Sequence, residues 1–134
     1  MYNGRIVKKI ETDKAPKPIG PFSQAIMAPP FLFISGMIPI DPQTGKITEM
    51  TIAGQTRQVL ANIEAVLNKA SLTFKDVVRM EVFLKDMDDF HAMNRIYAEK
   101  LSHETKPARY AIQVVRLPYD ALIEIACTAL CKKN

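Results

Sequence analysis

The sequence predicts a single α+β domain over residues 1–134, with two amphipathic helices on one face of a mixed β-sheet. Three observations predict it. The segments run two or three strands, helix, strand, helix, two strands, and two helices arising in this order cover one face of a shared sheet. A chain of 134 residues fits one domain and buries roughly two-thirds of its unfolded surface. The strand-type run Val77–Leu84 carries apolar side chains on both sides. The face away from the helices therefore needs its own cover, and a second copy of the chain is the economical one.

Arg5–Ile10 alternates loosely and reads as a short first strand. Ala15–Pro21 holds Pro16, Pro18 and Pro21, which excludes helix and favours an extended loop. Ser23–Ala28 and Phe31–Ser35 read as strands, with Pro29-Pro30 turning the chain between them and Ile38–Ile40 continuing the second. Asp41-Pro42-Gln43-Thr44-Gly45 is a turn signal: proline suits the first central position, and glycine the left-handed residue that closes the turn.

From Thr51 to Ala70 the period becomes helical. Ile52, Val59, Ile63, Val66, Leu67 and Ala70 share a face opposite Arg57, Glu64 and Asn68, and Thr51 is a natural N-cap. In Val77–Leu84, the set Val77, Arg79, Glu81 and Phe83 alternates against Val78, Met80, Val82 and Leu84. Asp88 is expected to cap a second helix, Asp89–Leu101, whose apolar face is Phe90, Met93, Ile96, Tyr97 and Leu101. Ala108–Arg116 and Ala121–Leu130 are the final strands, separated by Leu117-Pro118-Tyr119-Asp120.

The net charge of +4 is interspersed and clusters only at Lys8-Lys9 and Lys132-Lys133, so a solvated surface is expected rather than a nucleic-acid partner. No run of about 18 apolar residues offers a membrane span. Met1–Ile10 carries Arg5, Lys8 and Lys9 but no apolar stretch of a secretory signal, so a cytoplasmic location is expected. Cys127 and Cys131 would stand about 13 Å apart along a strand, beyond the ~7 Å reach of a disulfide, which agrees with a reducing compartment. His91 and His103 are isolated, and no metal site is expected.

Two charges sit in apolar strands. Arg109 begins a strand otherwise built of Ala, Tyr, Ile and Val, and Glu124 lies inside Ala121–Cys127. Burying either unpaired is costly, so either the two pair or each reaches the rim of the sheet. In a plain hairpin Gln113 would oppose Glu124 and Arg109 would oppose Thr128, leaving the two charges on one face about 13 Å apart. Direct contact is then excluded: the strands are not neighbours, or the groups meet other partners, and a subunit boundary is one way out. No Gly-x-Ser-x-Gly and no Cys–His neighbour pair is present, nor a Gly-rich phosphate loop. Ser35-Gly36 reads as a turn at a strand end, where glycine also lets a ligand approach the backbone. Asn94 reads as a polar surface residue.

Seven blocks in order resemble the RidA/YjgF family. They are Ala15–Ala25, Phe33–Pro42 with Thr44-Gly45, Gln55–Leu60, Val82–Phe90, Met93-Asn94 with Tyr97, Lys106–Arg109, and Ile123–Ile125. The resemblance implies a chorismate-mutase-like α+β fold and a homotrimer with ligand clefts between subunits. It implies hydrolysis of 2-iminobutanoate and 2-iminopropanoate to 2-oxo acids and ammonia, with no cofactor. Arg109 would then bind the substrate carboxylate, assisted by the backbone at Ala111 and by Ser35 and Gly36. Glu124 would position the water, and Asn94 would lie near the site. Phe22 would wall the cleft where the family usually has tyrosine. Tyr110 and Ala111 replace commonly small residues, and Met37 replaces a common glutamine. Two alternatives stand beside this reading. One is a non-catalytic module that binds a carboxylate metabolite and regulates a partner, motivated by the hydroxyl missing at Phe22. The other is an RNA-binding or endoribonuclease translation inhibitor, motivated by the +4 charge.

Overall fold

Thr51 starts the longest element. Its Oγ1 accepts the Gly54 N–H at 3.0 Å, which satisfies one of the donors a helix leaves open at its start. Helix α1 then runs Ile52–Lys69. The structure is a computed structural model and describes residues 6–132. In chain order the other elements are β1 (Lys8–Ile10), β2 (Ala25–Ala28), β3 (Phe31–Met37), β4 (Ile40–Asp41) and β5 (Lys46–Ile47), all before α1. After it come β6 (Val77–Leu84), α2 (Phe90–Lys100), β7 (Ala108–Gln113) and β8 (Ile123–Leu130).

Six strands form one sheet in the order β1-β2-β3-β8-β6-β7, and β4 pairs with β5 as a separate hairpin. The sheet is mixed. β6 and β7 are parallel, while its other neighbours are antiparallel. A parallel neighbour requires a crossover connection, and α2 supplies it. Both helices share one face of the sheet. Leu60, Ile63 and Leu67 of α1 and Met93 of α2 close over Leu32, Met80, Leu84, Ile123 and Ile125, all 2% exposed or less. Each such side chain contributes roughly 1.5–3 kcal/mol of burial.

The far face is left open. Phe33 is 48% exposed, and Phe31, Val78, Ile112 and Leu130 are also exposed. This matches the apolar groups read on both sides of Val77–Leu84. Their phase differs, however. A bulge between Val77 and Arg79 adds one residue, so Val77 faces the helices with Met80, Val82 and Leu84, and Val78 faces out.

Several expected boundaries shift for local reasons. Within the expected Arg5–Ile10 strand, pairing begins at Lys8; Arg5 lies outside the described residues. Ser23 and Gln24 precede β2 rather than belonging to it. β3 extends through Ser35 and Gly36 to Met37, so these two residues sit inside a strand and not at a turn. Ile38–Ile40 does not prolong β3: Ile40 pairs with Ile47 instead. Asp88 caps nothing. A 3-10 turn at Met87–Asp89 precedes α2, and Asp86 caps that turn by accepting the Asp88 N–H at 2.9 Å. β7 ends at Gln113, before the expected Arg116. Pro118–Asp120 is a 3-10 turn whose Tyr119 and Asp120 both hold positive φ. Among the described residues no helix is long and apolar enough to cross a membrane.

Candidate functional site

The carboxylate half of the site grows from a bulge in β3. Ile34 pairs with Cys127 and Met37 with Ile125, so β3 spends three residues where β8 spends two. The extra residue disrupts the ladder locally at Ser35-Gly36. Ser35 is tied down: its N–H donates to the Gln24 carbonyl at 3.0 Å and its hydroxyl to the Ser23 carbonyl at 2.6 Å. Gly36 leaves room for the Glu124 side chain, since a β-carbon there would stand 2.5 Å from Glu124 Oε2.

Around this point lies a cavity of about 320 Å³, with Ile19, Phe22, Ile38, Ile40 and Pro118 among its apolar walls and Lys17 as the one cation of its lining. Glu124 is the one anion of that lining and forms no ion pair among the described residues. Burial therefore raises its carboxyl above the ordinary glutamate value. Gln24, 4% exposed, holds the proline-rich wall. Its Nε2 reaches the carbonyls of Thr12, Ala15 and Pro16, and its Oε1 accepts the Thr12 N–H. The sequence signal for this role was available: an amide standing between Ser23 and the apolar run that follows.

The guanidinium half lies elsewhere. Arg109 Nη1 donates to Asn94 Oδ1 at 2.7 Å. Its Cζ sits 4.7 Å from the Tyr97 ring centroid and 5.7 Å from that of Phe90. No carboxylate among the described residues pairs with it. Asn94 is thus not a plain surface residue: Phe90, Asn94 and Tyr97 follow helical spacing and share the face of α2 turned to Arg109. Ala111 packs against the helix-side core.

Arg109 and Glu124 do not pair. β6 lies between β7 and β8, which excludes the hairpin; the strands are not sheet neighbours. Arg109 aligns with Met80 and through it with Cys127, three residues along β8 from Glu124. At ~3.3 Å per residue and ~4.8 Å per strand, the two Cα atoms are roughly 14 Å apart. The faces also differ. Arg109 meets α2, whereas Glu124 aligns with Phe83, whose ring packs on Tyr110, the residue that alternates with Arg109. The expected residues therefore form two groups: Phe22, Ser35, Gly36 and Glu124 at the cavity, and Arg109, Ala111 and Asn94 at the α2–β7 edge.

Cys127 is no nucleophile in this setting, because burial pushes its thiol up to about 12. Cys127 and Cys131 are free thiols. Among the described residues no three His, Cys, Asp or Glu side chains gather as a metal site.

The frame and site define an α+β protein that presents one apolar-walled carboxylate and one unpaired guanidinium. A family model described as endoribonuclease L-PSP matches residues 12–131, and the chain belongs to this family, the YjgF/RidA family. A RutC family protein of Pyrococcus horikoshii is 58% identical over 120 residues, 90% of this chain and 94% of that protein. Reactive Intermediate Deaminase A, chloroplastic, of Arabidopsis thaliana is 42% identical over 125 residues, 92% of this chain and 66% of that protein. The crystal structure of E. coli TdcF with bound serine matches with a TM-score of 0.89 at 38% identity, covering 93% of this chain and 99% of that one.

Proposed function

We propose that this protein is a cytoplasmic deaminase that hydrolyses reactive 2-imino and enamine acids, 2-iminobutanoate and 2-iminopropanoate, to 2-oxo acids and ammonia. It works as a homotrimer and without a cofactor. One observation carries the reading: an unpaired guanidinium and an apolar-walled carboxylate stand on opposite faces of one sheet. A single chain cannot bring both to one small substrate, but Arg109 of one copy against the Glu124 cavity of another can. The open apolar face gives such copies a surface to share.

The chemistry follows from the groups. The guanidinium grips the substrate carboxylate with paired hydrogen bonds and fixes the imine carbon in place. Ionised Glu124 takes a proton from water as the water oxygen bonds to the carbon of the protonated imine. Protonated Glu124 then passes that proton to the amino group of the carbinolamine. The C–N bond breaks, ammonia leaves, and the hydroxyl proton departs to Glu124 or water as the carbonyl forms. A carboxyl with a raised pKa suits both directions of this exchange. Ala111 would assist through its backbone, and Phe22 would wall the substrate.

RNA cleavage gains little support from this cavity. A phosphate backbone would meet one lysine and a carboxylate among apolar walls.

A dehydratase that supplies the imine tests the proposal. Added protein should speed release of the 2-oxo acid, and Arg109→Ala should weaken the effect at least about tenfold at low imine by raising KM. If Arg109→Ala keeps the acceleration, the assigned roles are wrong. Carboxylate binding with no rate effect would point instead to a regulatory module.

A further inference from the structure

An arginine on an edge strand has a long side chain that normally samples many rotamers, and a ligand that immobilises it must offset that lost freedom. Arg109 is already held. Tyr97 lies 4.7 Å from its Cζ, Phe90 lies 5.7 Å away, and Asn94 accepts from Nη1. All three come from α2, at helical spacing, and none carries a charge. Two aromatic faces attract a cation without neutralising it, whereas an Asp or Glu in the same place would spend the charge. One N–H of the guanidinium is occupied by the amide, and the others stay available to a ligand. The Tyr97 hydroxyl is buried with no hydrogen-bond partner among the described residues. What meets the guanidinium at close range is the Tyr97 ring.

We infer that Phe90 and Tyr97 are positioning residues: with Asn94 they form a neutral aromatic cradle that aims Arg109 at the substrate carboxylate. The inference rests on the proposed role of Arg109 in carboxylate capture. It assigns these two rings a part in binding beyond the packing of α2 on the sheet.

The test is a double-mutant cycle on imine hydrolysis, with KM and kcat measured separately and thermal melts as the folding control. Phe90→Leu and Tyr97→Leu keep apolar bulk and remove the ring. Each is expected to raise KM about five- to tenfold with a smaller change in kcat, the scale of one cation–π contact. Tyr97→Phe restores the ring and should recover most of the loss. In an Arg109→Ala background the same ring changes should shift KM less than about twofold, because the residue they act through is gone. Equal losses in both backgrounds, or no KM effect in the parent, overturn the cradle. Should Tyr97→Leu fail to fold, Phe90→Leu decides alone, since Phe90 is only partly buried. If Arg109→Ala leaves KM unchanged, carboxylate capture itself falls and takes the cradle with it. If Arg109→Ala raises KM and the ring variants do not, only the cradle falls.

Discussion

Gly36 and Glu124 face each other across β3 and β8 so closely that a β-carbon on the glycine would stand 2.5 Å from the carboxylate oxygen. Ordinary contact needs well over 3 Å, so any side chain at position 36 must displace the carboxylate. Gly36→Ala is expected to lower the imine hydrolysis rate at least about tenfold, a cost of about 1.4 kcal/mol in the transition state. Its melting temperature should change by only a few degrees, because Glu124 is half-buried and can turn away. An unchanged rate would show that the approach has no part in the chemistry.

Glu124 itself should trade stability for function. Burial raises its folded pKa above the ordinary 4.5. The folded state then binds a proton more tightly than the unfolded chain, and stability falls as pH rises through that folded value. Glu124→Gln removes the charge and should melt higher than the parent at pH 7.5. The gain should vanish below about pH 4, where the parent is protonated in both states. Activity should be lost at every pH, and the parent's rate should show an acid limb with its midpoint above 4.5. Melting curves at the two pH values check the sign.

Asn94 is the neutral member of the group that holds Arg109. Asn94→Asp places a carboxylate where the guanidinium already donates at 2.7 Å, so the charge pairs internally. KM should rise about tenfold or more while the fold remains intact by circular dichroism. A KM within twofold of the parent would mean that the free charge of Arg109 is not what binds substrate.

Phe33 is 48% exposed in the open sheet face, beside Phe31. Phe33→Glu adds a charge there without touching the helix-side core. If the proposed trimer forms through this face, sedimentation should report a larger assembly for the parent and a single chain for the variant, and the proposed deaminase activity should fall with assembly. A folded, active trimer carrying this change would remove the open face from the interface.

Gln24 is 4% exposed and bonds four backbone groups of the Thr12–Pro16 segment. Gln24→Ala strands those groups, and urea unfolding should show a loss of about 2–4 kcal/mol. KM should rise as well, since Pro16 and Lys17 line the cavity that this segment shapes.

Features that act over a few residues were legible from the chain. Thr51 was readable as a cap because its hydroxyl needs only the Gly54 N–H, three residues on. The apolar stripe of α1 was readable because a helix repeats within itself. Arg109 and Glu124 stood out because a charge in an apolar strand demands a reason. Other features were hidden. The bulges at Ser35-Gly36 and at Val78 are single extra residues, and they reverse strand phase without changing composition. Asn94 looked solvated because its partner lies 15 positions away.

The sequence by itself determined most of the element types and the family, and it singled out Arg109 and Glu124 as charges set in apolar strands, because periodicity, capping and motif order are local properties. Only the tertiary structure decided that β6 separates β7 from β8, and that Arg109 and Glu124 look out from opposite faces. The physical reason is that backbone hydrogen bonds between strands carry no side-chain label. Many strand orders satisfy them, and the choice falls to long-range packing: α2 must cross over to lay β7 parallel to β6, and the face it covers is the one that holds Arg109.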